Sequence, residues 1–176
     1  MSPKDSINTP EGQIISLFPS GTRLNENKEL LIGGCAASEL VSTFGTPALI
    51  IDESALRDRA RRYQDGLRSR WPNSEVIWAS KSLPLTSVFR VIAEEGLGVD
   101  VAGGGELVMA LAAGVNPAKI VMHGNAKTDD EIEMAIKAGV GTIVIDNFDD
   151  IDRLERIVTG EQAVLVRIIP GVLPET

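Results

Sequence analysis

The chain has 176 residues, 43% of them hydrophobic and 24% charged, which is the usage of a folded globular protein rather than a disordered one. Lys and Arg number 17 against 25 Asp and Glu, a formal net charge of −8. That field repels phosphate, so general nucleic-acid or anionic-membrane binding is not expected. A single cysteine, Cys35, rules out an internal disulfide or a cysteine zinc site, and a single histidine, His123, rules out a two-histidine metal motif. Met1 to Ser6 lack the apolar core of a signal peptide, and no apolar run nears the ~20 residues of a membrane span, so a cytoplasmic setting is the default expectation.

The first 45 residues carry Pro3, Pro10 and Pro19, several Asn and Ser, and no sustained period. Within them Glu29 to Gly34 reads as a short strand and Ala37 to Phe44 as a short helix. After Gly45-Thr46-Pro47 the pattern changes, and residues 46–176 form a second region. Short β-branched runs at 48–52, 76–80, 98–102, 120–123, 142–146 and 164–168 alternate with stretches of helical spacing such as Leu85, Val88, Phe89, Ile92 and Ala93. Almost wholly apolar strands separated by helices predict an α/β protein whose parallel sheet is covered on both faces.

Two of the helical stretches repeat. Glu106 to Val115 matches Glu131 to Val140, with Gly114 and Gly139 placed where a helix ends in a left-handed cap. Such a repeated unit builds either a (β/α) barrel or an open doubly wound sheet of flavodoxin type.

In both architectures ligands bind at the carboxyl ends of the strands. Those ends hold Lys81, Asp100, His123 with Asn125, Asp146 with Asn147, and Arg167. Asp146 has a second reading as the cap of a helix at 149–158. Lys81 follows the apolar run Val76 to Ser80, where an amine is expected to lose hydration. A neutral amine is the form that makes a Schiff base with an aldehyde, and the alternative is a solvent-reaching loop lysine. Cys35 lies outside the βα region and reads as a small buried residue rather than a nucleophile. No Gly-x-Gly-x-x-Gly, P-loop or Gly-x-Ser-x-Gly pattern occurs. The residues alone therefore reach a strand-end polar site around Lys81, without a reaction.

Several blocks, in order and with matching spacing, resemble the diaminopimelate decarboxylases. They are Phe44-Gly45-Thr46-Pro47, Trp78-Ala79-Ser80-Lys81, Gly98-Val99-Asp100 with Gly103 to Leu107, His123-Gly124-Asn125-Ala126-Lys127, and Arg167 with Pro170-Gly171-Val172. Leu17 to Gly21 and Ile32-Gly33-Gly34 are similar to the leader of those enzymes. After the lysine the family usually has Ala-Asn, whereas Ser82-Leu83-Pro84 stands here.

The resemblance implies the first part of a (β/α)8 TIM-type barrel, preceded by a segment (residues 1–45) that would pack with a β-sandwich domain. It implies pyridoxal 5'-phosphate held by Lys81, with Arg167 on the cofactor's phenolic oxygen, Asp100 near Lys81, Glu106 behind it, and His123 lining the barrel mouth. It implies an amino-acid substrate, decarboxylation of meso-diaminopimelate to L-lysine, and a homodimer. Decarboxylases of ornithine, lysine or arginine, an inactive relative, and a small open-sheet binding domain are the alternatives. An eight-stranded barrel takes about 250 residues, so this chain reads as incomplete. By itself it is expected to associate through the edge at 164–168, bind cofactor weakly and not decarboxylate.

Overall fold

A computed structural model describes residues 14–171, so the signal-peptide reading at Met1 to Ser6 and the match at Val172 lie outside the described residues. The chain divides into two units, Met1–Arg62 and Tyr63–Thr176.

In the first unit, β1 (Arg23–Leu24), β2 (Leu30–Ile32) and β3 (Cys35–Ala36) form an antiparallel meander. The Asn25 side chain closes the first turn by accepting from the Asn27 and Glu29 amides at 3.0 and 2.9 Å. The sequence pattern shows only one strand here, because two-residue strands carry no readable period. Helix α1 (Ala37–Phe44) follows with the predicted bounds. Cys35 is exposed rather than buried, since β3 is a short edge strand.

The expected strand at 48–52 does not form. Its apolar run finds no ladder partner among the described residues, Leu49 stays 82% exposed, and β-propensity without pairing does not make a strand. The segment ends instead in a helix cap. Asp52 opens α2 (Glu53–Arg68) by accepting from the Ser54 hydroxyl at 2.6 Å and the Ala55 amide at 3.1 Å. The Ser54 hydroxyl, helped by backbone N–H groups, holds the Asp52 carboxyl below its ordinary range despite burial.

The second unit is built from β4 (Ile77–Ala79), a 3-10 turn at Ser80–Ser82, α3 (Thr86–Glu94), β5 (Gly98–Val101), α4 (Gly104–Ala112), a second 3-10 turn at Pro117–Lys119, β6 (Ile120–Met122), α5 (Asp129–Ala138), β7 (Thr142–Ile145), α6 (Phe148–Ile157) and β8 (Ala163–Val166). All four ladders are parallel, and the strands lie in the order β4-β5-β6-β7-β8. Each strand beside its successor is the order of a barrel. A flavodoxin-like sheet would reverse direction at a switch point, so the open-sheet alternative is overturned.

The core lies between sheet and helices. Val99, Val101, Met122 and Ile143 point from the sheet, and Phe89, Leu107, Ala110, Ile132 and Ala135 point from the helices, all fully buried. Each large side chain so buried contributes about 1.5–3 kcal/mol. Trp78 meets Phe89 edge to face at 5.3 Å. The sequence repeat is a packing repeat: Leu107 and Ala110 in α4 occupy the places that Ile132 and Ala135 occupy in α5. Gly114 and Gly139 end the two copies at φ +85° and +77°.

The edge strand β8 leaves all four of its residues exposed. A lysine placed there would blunt pairing with another chain, so Val166→Lys is expected to reduce self-association of the chain in sedimentation velocity. Unchanged association would show that the edge is not used. Close packing sets a second expectation. A Cβ at Gly141 would collide with the Ala118 carbonyl, whereas one at Gly160 meets nothing within 4 Å. Gly141→Ala should cost about 1–3 kcal/mol in denaturant unfolding and Gly160→Ala within about 0.5 kcal/mol.

Candidate active site

Successive residues of a strand point to opposite faces, and register partners in a parallel pair point the same way. Since Val99, Val101, Met122 and Ile143 face the helices, their neighbours face the concave side. The pairs Ala79↔Asp100↔Val121↔Thr142↔Ala163 run across that side. Beyond β6, β7 and β8 the chain continues directly to His123, Asp146 and Arg167, whereas Lys81 follows β4 in a 3-10 turn, where strand alternation no longer applies. Asp100 therefore faces the concave side within β5, and the other predicted site residues stand within two residues of the carboxyl ends of their strands.

At those strand ends the structure forms two pairs. His123 Nδ1 lies 3.5 Å from an Asp100 carboxylate oxygen. Arg167 donates to Asp146 at 2.6 Å. Asp146 is thus the partner of Arg167 and not the cap of the following helix. That cap is Asn147, whose side chain accepts from the Asp150 amide at 2.9 Å.

Lys81 sits in the 3-10 turn directly after β4. It is exposed, which corrects the expectation of lost hydration, because the strand stops at Ala79 and the turn carries the side chain clear of the apolar run. The Asp100 carboxylate meets His123, and its own register partner is Ala79, two residues before Lys81. Glu106 accepts from the Ala102 amide at 2.6 Å, so it braces the start of α4.

Three features were missed at the sequence level. Glu131 accepts from Thr128 N–H at 2.9 Å and from Gly104 N–H at 2.8 Å, so one carboxylate ties the starts of α4 and α5 together. The Thr128 and then the Gly104 amide hold its carboxyl below the ordinary range. Thr128-x-x-Glu131 is a capping box that the spacing could have revealed. Lys127 and Asp150 form an ion pair at 2.8 Å with both side chains fully buried. Nothing local marks that pair, because 23 residues separate its members. Finally Gly124, at φ +102°, approaches so closely that a Cβ would stand 2.5 Å from the Ala102 carbonyl oxygen.

The buried Ser80 hydroxyl and Asp100 Oδ1 have no hydrogen-bond partner. Unsatisfied buried polar atoms are uncommon in folded proteins, and here Ser80 precedes Lys81 in the turn after β4, while Asp100 pairs in register with Ala79 at the end of that strand. An amine for an aldehyde and a guanidinium for an anionic oxygen suit an aldehyde-bearing anionic cofactor. Among the described residues no three His, Cys, Asp or Glu gather where a metal could sit, and no helix is long and apolar enough to cross a membrane.

A parallel βα array in barrel order, with its charged residues collected at the strand ends, is the class of a TIM-type barrel enzyme domain. Residues 53–176 match the model of the pyridoxal-dependent decarboxylase pyridoxal-binding domain, and the chain belongs to that family. It is 45% identical to the diaminopimelate decarboxylase of Actinosynnema pretiosum over 160 residues, covering 91% of this chain and 36% of the relative. The Bacillus subtilis diaminopimelate decarboxylase is 39% identical, with 91% and 37% covered. The crystal structure of diaminopimelate decarboxylase from M. jannaschii superposes with a TM-score of 0.81 at 30% identity, covering 90% of this chain and 38% of that one. The chain therefore spans little more than a third of the relatives it matches. The cofactor of the family is pyridoxal phosphate.

The Glu131 hydrogen bonds set a pH dependence. A carboxyl held below its ordinary value of 4.5 stabilises the fold fully above that value, and the contribution is lost as pH falls through its folded range. The stability gap between the parent and Glu131→Gln should be about 1 kcal/mol at neutral pH and close as the solution is acidified below the ordinary carboxylate range. A gap that persists in strong acid would contradict the assignment.

Proposed function

We propose that this chain supplies the cofactor-holding part of an enzyme that decarboxylates meso-diaminopimelate to L-lysine. The observation that carries the reading is the gathering of Lys81, Asp100, His123, Asp146 and Arg167 at the carboxyl ends of five neighbouring parallel strands. The likeness to relatives named diaminopimelate decarboxylase supports the substrate. The M. jannaschii enzyme, also solved in complex with L-lysine, supports the product. A homodimer and a cytoplasmic setting belong to the same reading and rest on the family resemblance.

In this reading Lys81 Nζ would hold the cofactor at its aldehyde. Its amine makes no hydrogen bond or ion pair among the described residues and is free to do so. Bound pyridoxal phosphate supplies the electron sink for the pair left behind when carbon dioxide departs. Asp100 orients His123 through Nδ1, which leaves Nε2 of the ring for a ligand at the mouth. Asp146 holds Arg167 through one terminal nitrogen, so the remaining N–H groups of the guanidinium can meet an anionic oxygen.

Borohydride reduction in the presence of pyridoxal phosphate, followed by peptide mapping, is expected to place the label on Lys81. Lys81→Ala should abolish it. Label on Lys119 instead would move the site. Lys127 should stay unlabelled, because its amine is buried against Asp150. Carbon dioxide release from diaminopimelate, ornithine, lysine and arginine, measured after the remaining part of the enzyme is supplied in trans, tests the substrate, and preference for any of the last three would overturn that part.

A further inference from the structure

The Lys127–Asp150 ion pair is buried in the second unit, and no step above uses it. Both side chains have no exposed surface. Burying two charges costs several kcal/mol in desolvation, which their attraction repays only where geometry is good and the remaining hydrogen-bonding capacity is used. Here that capacity is directed at two particular places. Lys127 Nζ donates to the Gly124 carbonyl at 2.6 Å, and Gly124 follows His123. Asp150 Oδ2 accepts from the Asp146 amide at 3.0 Å, and Asp146 is the partner of Arg167. The other Asp150 oxygen faces Arg153 at 3.5 Å. The pair thus joins the loop after β6 to the loop after β7. It grips the backbone of each within one residue of a side chain at the strand ends.

We infer that Lys127 and Asp150 are positioning residues, which set the placement of His123 and of the Asp146–Arg167 pair by clamping the two loops that carry them. The inference concerns the same site as the proposed function and rests on that reading for its link to cofactor binding. The clamp itself is a statement about this chain. The Asn147 side chain adds a weaker contact between the same loops, donating to the Asn125 carbonyl at 3.4 Å. The carbonyl that Lys127 grips belongs to Gly124, which has φ +102° and no room for a Cβ beside the Ala102 carbonyl oxygen.

The test uses the whole 176-residue chain. His123 is the only histidine, so its ring signals in NMR are unambiguous. In the parent protein the Asp146 amide should exchange about a hundredfold or more slowly than in an unfolded chain. Exchange at the rate of an open loop would overturn the clamp without any variant.

The double variant Lys127→Met, Asp150→Leu removes both charges together and strands neither, the kind of replacement that often preserves stability. In it the Asp146 amide is expected to lose about tenfold or more of its protection relative to core amides, and the His123 ring signals to shift. Pyridoxal phosphate affinity should fall about tenfold, the size of effect seen when outer supports of a ligand site are removed. A folded double variant with unchanged His123 signals, unchanged Asp146 exchange and unchanged affinity would show a merely structural pair and overturn the inference. If the double variant does not fold, Asp150→Asn is read by the same measures, and the parent's exchange rate decides in either case. Failure to label Lys81 in the parent would sink the cofactor reading alone, since exchange and ring signals need no cofactor.

Discussion

The phase of the parallel ladder is the constraint on which the rest of this structure depends. Because side chains alternate with a period of two, one choice of register sends Val99, Val101, Met122 and Ile143 into the helix layer. The same choice sends Asp100 to the opposite face. A slip of one residue in β5 would turn Asp100 toward the helices and Val99 and Val101 away from them. The hydrophobic core and the polar row are thus two outcomes of one decision, and the energy of core burial pays for the ordering of the site.

Above the strand ends a second level of organisation takes over, made of helix starts. Thr128 with Glu131, and Asn147, satisfy amides at the starts of α5 and α6, and Glu131 also takes the Gly104 amide that opens α4. These groups are orphaned in any helix and must find partners. Here the partners are drawn from the same loops that carry the polar row, so capping and site geometry are built from the same short segments. The salt bridges of Asp129 with Arg153 and Arg156 add a surface link between α5 and α6. Exposed pairs of that kind contribute little to stability.

Much of this was legible in the sequence because it is periodic. Five strands, the helices between them and the Gly114 and Gly139 caps follow from apolar spacing, and reading the last residue or two of each strand picks out Lys81, Asp100, His123 and Arg167. What escaped lacks a local signature. The run at 48–52 has strand composition, yet pairing is a tertiary event, and the segment resolves instead into the Asp52 cap. Asp146 has the composition of a cap, but its neighbour Asn147 takes that role and leaves it to Arg167. The Lys127–Asp150 pair was invisible because charged residues are ordinarily read as solvated, and only the packed loops show these two sealed from water.

The carboxylate of Glu131 has a consequence for how such a chain can change over time. It belongs to one βα unit and completes the first turn of the unit before it, through Gly104. Adjacent units are therefore not interchangeable modules, even though their helices repeat the same buried stripe. A crossover between the two copies that exchanged one unit without its neighbour would separate Glu131 from the Gly103-Gly104 turn it fits, where a Cβ on either glycine would press against it. The seam between repeats is where heredity is least free to cut, and the lineage of this fold would be expected to pass the two units on together.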